Sequence, residues 1–141
     1  MKKIRIVAFV MLVVLAVLCC AGALAETKAY DFSLRAVSNG LTGYRGTKGD
    51  NEARFYVTQT SATPEDTHPT ATWTKTLYRS VWLDSGDVAS NTLTITPSST
   101  SGNASYTDDV GAGDSFKLNI RLRTPAAYEN VYFTIKGRWT P

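Results

Sequence analysis

The stretch Phe116-Lys117-Leu118-Asn119-Ile120-Arg121-Leu122-Arg123 alternates apolar and polar residues without a break. A period of two is typical of a β-strand that buries one face, so its four apolar side chains are expected to point into a core. Burial of each of these side chains is worth about 1.5–3 kcal/mol. The stretch therefore predicts a central strand of the hydrophobic core.

Similar patterns recur along the rest of the chain. They predict strands over residues 29–37, 53–58, 70–83, 91–96, 104–107 and 131–139. The glycine-rich segment 41–51 and the polar segment 61–69 are expected to be loops. The sequence therefore predicts an all-β domain, most simply a single small antiparallel β-sandwich of six to eight strands, with a small β-barrel as the alternative.

The first 25 residues have the composition of a secretory signal peptide. Basic residues from Lys2 to Arg5 precede an apolar run over 6–18, and Ala23-Leu24-Ala25 supplies small residues before an expected cleavage at Glu26. The apolar run is short for a membrane anchor. We therefore expect a secreted or cell-surface-associated protein without a transmembrane segment after cleavage.

The expected mature domain, residues 26–141, is electrically neutral and has no cysteine. Three of the 15 basic residues lie in the leader, which leaves twelve against the 12 acidic residues. Both cysteines also lie in the leader, so the domain has no disulfide and no thiol chemistry. Export and neutral charge argue against nucleic acid as a partner.

No catalytic, metal-binding or cofactor motif stands out. His68 is the only histidine and is expected in a loop, without a recognisable nucleophile beside it. The acidic residues are concentrated in predicted loops, where they could form the carboxylate pair of a small hydrolase. Asp84, Asp87, Asp108 and Asp109 offer oxygen ligands for calcium, but none of these stretches follows the twelve-residue calcium loop. We predict no catalytic residue, no metal ligand and no cofactor.

Charge patterning gives the clearest surface hypothesis. The polar sides of the last two predicted strands carry only basic charges, at Lys117, Arg121, Arg123, Lys136 and Arg138. We expect a basic face that binds an anionic polymer, such as teichoic acid of the cell wall, a polysaccharide or lipid headgroups. The alternative is a solvated sheet face whose cations prevent aggregation between strand edges.

The aromatic residues suggest a second way of binding. Trp73 and Trp82 lie in one predicted strand segment, and Tyr132 lies on the polar side of the last strand. Rings exposed on a sheet can stack on sugars, whereas the alternative is that the tryptophans belong to the core.

Four short motifs are spread over the chain: Phe32-Ser33-Leu34-Arg35, Tyr44-Arg45-x-Thr47 with Asn51, Leu118-Asn119-Ile120-Arg121-Leu122 and Gly137-x-Trp139. Together they resemble a family of small secreted proteins from Gram-positive bacteria whose function is unknown. Segment 61–87 has no counterpart in that family. The resemblance implies export and a compact β-fold, and it transfers no functional residue.

These observations favour a secreted, non-enzymatic binding module for cell-envelope or other anionic or glycan polymers. Arg121, Arg123, Lys136 and Arg138 would supply the charge, and Tyr132 with Trp82 and Trp73 would supply the stacking surface. A bacteriocin- or toxin-like effector with a protein receptor or membrane target is one alternative, and a small secreted hydrolase is another.

Overall fold

The computed structural model describes residues 26–36 and 40–141. The expected signal peptide, residues 1–25, lies outside the described residues, as does the last position of the first predicted strand. The strands are β1 (Lys28–Arg35), β2 (Leu41–Thr47), β3 (Arg54–Pro64), β4 (Lys75–Trp82), β5 (Leu93–Ile95), β6 (Ser101–Ser105), β7 (Ser115–Arg123) and β8 (Tyr132–Thr140). A short 3₁₀ helix, Ala126–Tyr128, lies between β7 and β8. Within the same described ranges, no helix has the length and apolar character needed to cross a bilayer.

The strands form two separate four-stranded antiparallel sheets. The first sheet has the order β1-β8-β3-β6 and the second has the order β2-β7-β4-β5. The sheets pack face to face around one core, which confirms the predicted β-sandwich and disfavours the barrel alternative.

Strand β7 lies at the centre of that core, as its alternation of apolar and polar residues predicted. Phe116, Leu118, Ile120 and Leu122 are fully buried, and the intervening polar residues are half-exposed. The inward residues of β8 are also fully buried, Trp139 among them. Because β7 and β8 belong to different sheets, their inward faces approach each other across the sandwich.

Segment 41–51 is not the flexible loop that its glycines predicted, because it contains β2. A Cβ added to Gly46 would lie 2.7 Å from Pro141 Cγ, and one added to Gly43 would lie 3.2 Å from Phe32 Cε1. Both glycines therefore permit close packing rather than flexibility. Strand β3 also extends to Pro64 through part of the predicted polar loop, and β6 begins three residues before the predicted strand over 104–107.

A chain of buried polar groups crosses the core. Tyr30 Oη donates a hydrogen bond to Tyr78 Oη over 3.0 Å, and Tyr78 Oη donates to Gln59 Oε1 over 2.7 Å. Burial raises the pKa of Tyr30 to about 12 and raises the pKa of Tyr78 further above its ordinary value. Gly137 lies against these hydrogen-bonded side chains, and a Cβ added to it would overlap the Tyr30 hydroxyl. The hydroxyl chain thus holds the two sheets in one relative position.

Candidate functional site

The basic residues of the last two strands do not form one face. β7 lies in the second sheet and β8 in the first, and both point their apolar side chains inward. Arg121 and Arg123 therefore lie on one outer surface of the sandwich, and Lys136 and Arg138 lie on the opposite one. The prediction that the cations of the last two strands share one face is therefore wrong. Alternation fixes which side of a strand meets the core, but it does not fix which sheet the strand joins.

The outer surface of the second sheet carries more positive charge than the sequence indicated. Arg45 of β2 and Lys75 and Arg79 of β4 lie on the same side as the β7 cations. The strands of this sheet contain no aspartate or glutamate. We call this surface the basic face, and it consists of Arg45, Lys75, Arg79, Lys117, Arg121 and Arg123.

Two pairs of like charges stand directly opposite each other on the basic face. Arg45 is the cross-strand partner of Lys117, and Lys75 is the cross-strand partner of Arg123. Directly opposite like charges destabilise a sheet. Among the described residues, none of these four has an acidic oxygen within 4.0 Å. The face therefore keeps two local repulsions that the protein does not neutralise itself.

Hydrogen bonds fix the polar residues between these cations. Asn119 Nδ2 donates to Thr42 Oγ1 over 2.7 Å, and Arg79 Nε donates to Thr92 Oγ1 over 2.6 Å. Lys117, Arg121 and Arg123 are half-buried, whereas Arg45, Lys75 and Arg79 are exposed. Outward side chains repeat about every 7 Å along a strand and about every 4.8 Å between strands. The basic face is thus a two-dimensional array of cations.

The acidic residues are concentrated in another part of the molecule. Eight of the 12 lie before β1 or in the loops after β2, β4 and β6, which meet at one end of the sandwich. Those eight, which we call the acidic end, are Glu26, Asp50, Glu52, Asp84, Asp87, Asp108, Asp109 and Asp114. A neutral chain therefore places six of its cations on one face and eight of its acidic residues at one end.

Several of these carboxylates have structural partners. Asp50 Oδ1 lies 2.8 Å from Nζ of Lys48, whose side chain is only 1% exposed. The hydrogen bond from Lys48 holds the pKa of Asp50 below its ordinary value. Asp108 accepts a hydrogen bond from Trp82 Nε1, and Asp114 accepts one from the Gly111 amide over 2.8 Å. Within residues 26–36 and 40–141, no three histidine, cysteine or acidic side chains are grouped to hold a metal ion.

The three aromatic residues predicted to bind sugars do not form one platform. Trp82 points inward, with its ring centroid 4.7 Å from that of Phe116. Trp73 is half-buried against the core and is separated from Trp82 by the length of β4. Tyr132 is 49% exposed, but on the outer surface of the first sheet. The interpretation of the tryptophans as core residues fits this arrangement better.

A groove of about 470 Å³ lies at the edge of the first sheet, around Lys136 and Arg138. Lys136 Nζ lies 3.0 Å from Asp31 Oδ2, and Tyr44 and Thr60 line the same groove. We call it the edge groove. Two of the predicted binding residues are thus brought together, although away from the basic face.

The sequence pattern indicates two of the additional cations of the basic face. Lys75, Leu77 and Arg79 alternate with the buried residues of β4, so their outward direction follows from the same period as in β7. Arg45 carried no such signal, because a loop was predicted there.

No protein family, curated protein or solved structure matches the chain.

Proposed function

We propose that the protein is a secreted, non-catalytic module that binds a linear anionic polymer of the cell envelope through the basic face. The observation that carries the proposal is the array of six cations on a sheet whose strands contain no acidic residue. An array of one sign attracts a polymer of the opposite sign and releases its counterions.

The like-charged pairs favour a bound polyanion over a merely solvated surface. A sheet selected only for solubility would be expected to place opposite charges across from each other, as at Asp31 and Lys136 in the first sheet. The second sheet instead places like charges opposite each other twice, at Lys75–Arg123 and at Arg45–Lys117. An anionic group between each pair would convert both repulsions into attractions.

The surroundings of the carboxylates support binding rather than hydrolysis. Asp50 neutralises a buried lysine, Asp108 holds an indole and Asp114 closes a turn. A glycosidase needs one carboxyl group with a raised pKa beside a second that stays ionised. At Asp50 the hydrogen bond from Lys48 lowers the pKa instead of raising it.

Co-sedimentation of the purified protein with bacterial cell walls tests the proposal. Walls with and without teichoic acid are compared across a salt series from 50 to 200 mM. If the polymer neutralises about six cations, a slope of about −0.7 per cation predicts a roughly 300-fold loss of affinity over that range. Binding that resists both salt and removal of teichoic acid would contradict the proposal.

Two variants with equal loss of charge locate the binding surface. The double variant Lys75→Gln/Arg123→Gln removes one like-charged pair from the basic face, and Lys136→Gln/Arg138→Gln removes two cations from the opposite sheet. The first is expected to weaken polymer binding at least 10-fold, and the second to change it less than twofold. Equal effects of the two variants would show that net charge alone determines binding.

A further inference from the structure

The edge groove is lined by charged side chains of both signs. Asp31 and Lys136 form an exposed ion pair, which offers hydrogen-bond acceptors and donors next to each other. Arg138 is exposed and has no acidic oxygen within 4.0 Å among the described residues. Its planar guanidinium matches a carboxylate with two parallel hydrogen bonds.

Tyr44 makes one wall of the groove and is held firmly in place. Its hydroxyl donates to the Asp31 carbonyl over 2.8 Å and accepts from the Asp31 amide over 3.0 Å. Its ring meets Phe32 edge-on, with centroids 4.8 Å apart. Tyr44 has a φ of 51°, in the left-handed region that costs a non-glycine residue about 1–2 kcal/mol. The two hydrogen bonds and the ring contact hold that conformation, so the wall exists before any ligand binds.

A second irregularity shapes the other side of the groove. The pairing of β3 with β8 shifts between Gln59 and Ser61, which leaves Thr60 as an extra residue at a β-bulge. Bulges redirect side chains and are common beside binding sites. Thr60 lines the groove, so two interruptions of the regular sheets, at Thr60 and at Tyr44, border the same volume.

We infer that the edge groove is a second binding site, for a sugar ring that carries a carboxylate. The guanidinium of Arg138 would bind the carboxylate, the Asp31–Lys136 pair would bind ring hydroxyls, and Tyr44 would supply an apolar surface. The groove has a volume of about 470 Å³, within the roughly 300–1,000 Å³ of small-molecule sites. The inference does not depend on the basic face, because none of the six cations of that face lines the groove.

Titration of the ¹⁵N-labelled protein with glucuronate, at constant ionic strength, tests this site. Saturable shifts of the amides of Asp31, Tyr44, Lys136 and Arg138 are expected, with the amides of β4 and β7 unchanged. Glucose and acetate, which carry the hydroxyls and the carboxylate separately, are expected to bind at least 10-fold more weakly. Equal affinity for glucuronate and acetate, shifts that extend over β4 and β7, or no saturable shift would each overturn the inference.

Three variants separate the role of Arg138 from effects on folding. Arg138→Gln is expected to weaken glucuronate binding at least 10-fold, and Arg138→Lys, which keeps the charge but loses the planar fork, at least threefold. Arg123→Gln removes an arginine from the basic face and is expected to leave glucuronate binding unchanged while weakening polymer binding. Glucuronate binding that survives both substitutions at Arg138 would overturn the inference without affecting the proposed function.

Discussion

Lys75→Glu is expected to make the protein more stable and, on the proposed function, less able to bind an anionic polymer. Lys75 and Arg123 are directly opposite on β4 and β7, which places their Cβ atoms about 4.5–5.5 Å apart. The long side chains let the charges separate to about 7 Å, where two unit charges in water repel by about 0.6 kcal/mol. Reversal of one charge removes this repulsion and adds a similar attraction. After screening, the free energy of unfolding is expected to rise by about 0.5–1 kcal/mol.

Urea unfolding followed by tryptophan fluorescence measures this change. Lys75→Gln, which removes the repulsion without adding an attraction, is expected to give about half the gain. Arg79→Glu is the matched control, because Arg79 lies on the same strand but faces the neutral Asn119 and bonds Thr92. It is expected to give a smaller gain than Lys75→Glu, because position 79 has cations only diagonally across from it and the hydrogen bond to Thr92 is lost. In 1 M salt the gain of Lys75→Glu is expected to disappear, because the screening length falls to about 3 Å.

Polymer binding by the same variant is expected to change in the opposite direction. One cation is lost and one anion added, so the salt dependence is expected to become shallower by about 0.7–1.4 units of slope. A Lys75→Glu protein that is no more stable than the wild type at low salt would refute the like-charge argument. A protein that gains stability but binds the polymer normally would refute the assignment of the basic face.

Three further predictions concern the interior. Gly137→Ala would force a methyl group into the Tyr30 hydroxyl, so the free energy of unfolding measured in urea is expected to fall by about 3 kcal/mol. A fall of less than about 1 kcal/mol would contradict this packing. Because burial raises the pKa of Tyr30 to about 12 and that of Tyr78 as well, the folded state holds these protons more tightly than the unfolded state. The free energy of unfolding is therefore expected to be highest below about pH 10 and to fall between pH 10 and 12. Thermal unfolding followed by circular dichroism at stepwise pH would show this fall, and a flat profile would contradict it. Asp50→Asn leaves the buried Lys48 without its carboxylate and is expected to lower stability by about 1–2 kcal/mol, less than for a fully buried pair because Asp50 is 45% exposed. The double variant with Lys48→Met is expected to recover part of that loss, and no recovery would argue against the pairing.

The fold class was predictable because its signal is local. Alternation along β7 requires only neighbouring residues, and the structure buries each apolar residue that the pattern assigned to the core. The assignment of β7 and β8 to different sheets has no local signal. Consecutive strands are usually neighbours in a sheet, but here the segment with the 3₁₀ helix crosses from one sheet to the other. Both arrangements bury the same side chains, so the sequence pattern is identical for each.

The glycines of β2 were misinterpreted for a related reason. A glycine at every third position fits neither strand nor helix, and it therefore predicted a loop. In the structure the register of β2 shifts between Gly43 and Arg45, which adds Tyr44 as an extra residue. Gly43 is then opposite Leu118 and Gly46 opposite Phe116, so both glycines face the core although they are three residues apart. The irregular spacing is the trace of a bulge, and the bulge places Tyr44 at the edge groove.

Net charge was equally uninformative about the surface. Twelve basic and twelve acidic residues cancel in the sum, but six of the cations lie on one sheet and eight of the acids at one end. A polyanion approaching at physiological salt responds to charges within a screening length of about 8 Å rather than to the sum over the molecule. The pairs Arg45–Lys117 and Lys75–Arg123 each lie within that length, so a bound polymer segment would meet two neighbouring positive charges although the charges of the whole chain cancel. Exchange of Lys75 with an acid of the acidic end keeps the net charge constant, and on the proposed function it is expected to weaken the binding of an anionic polymer.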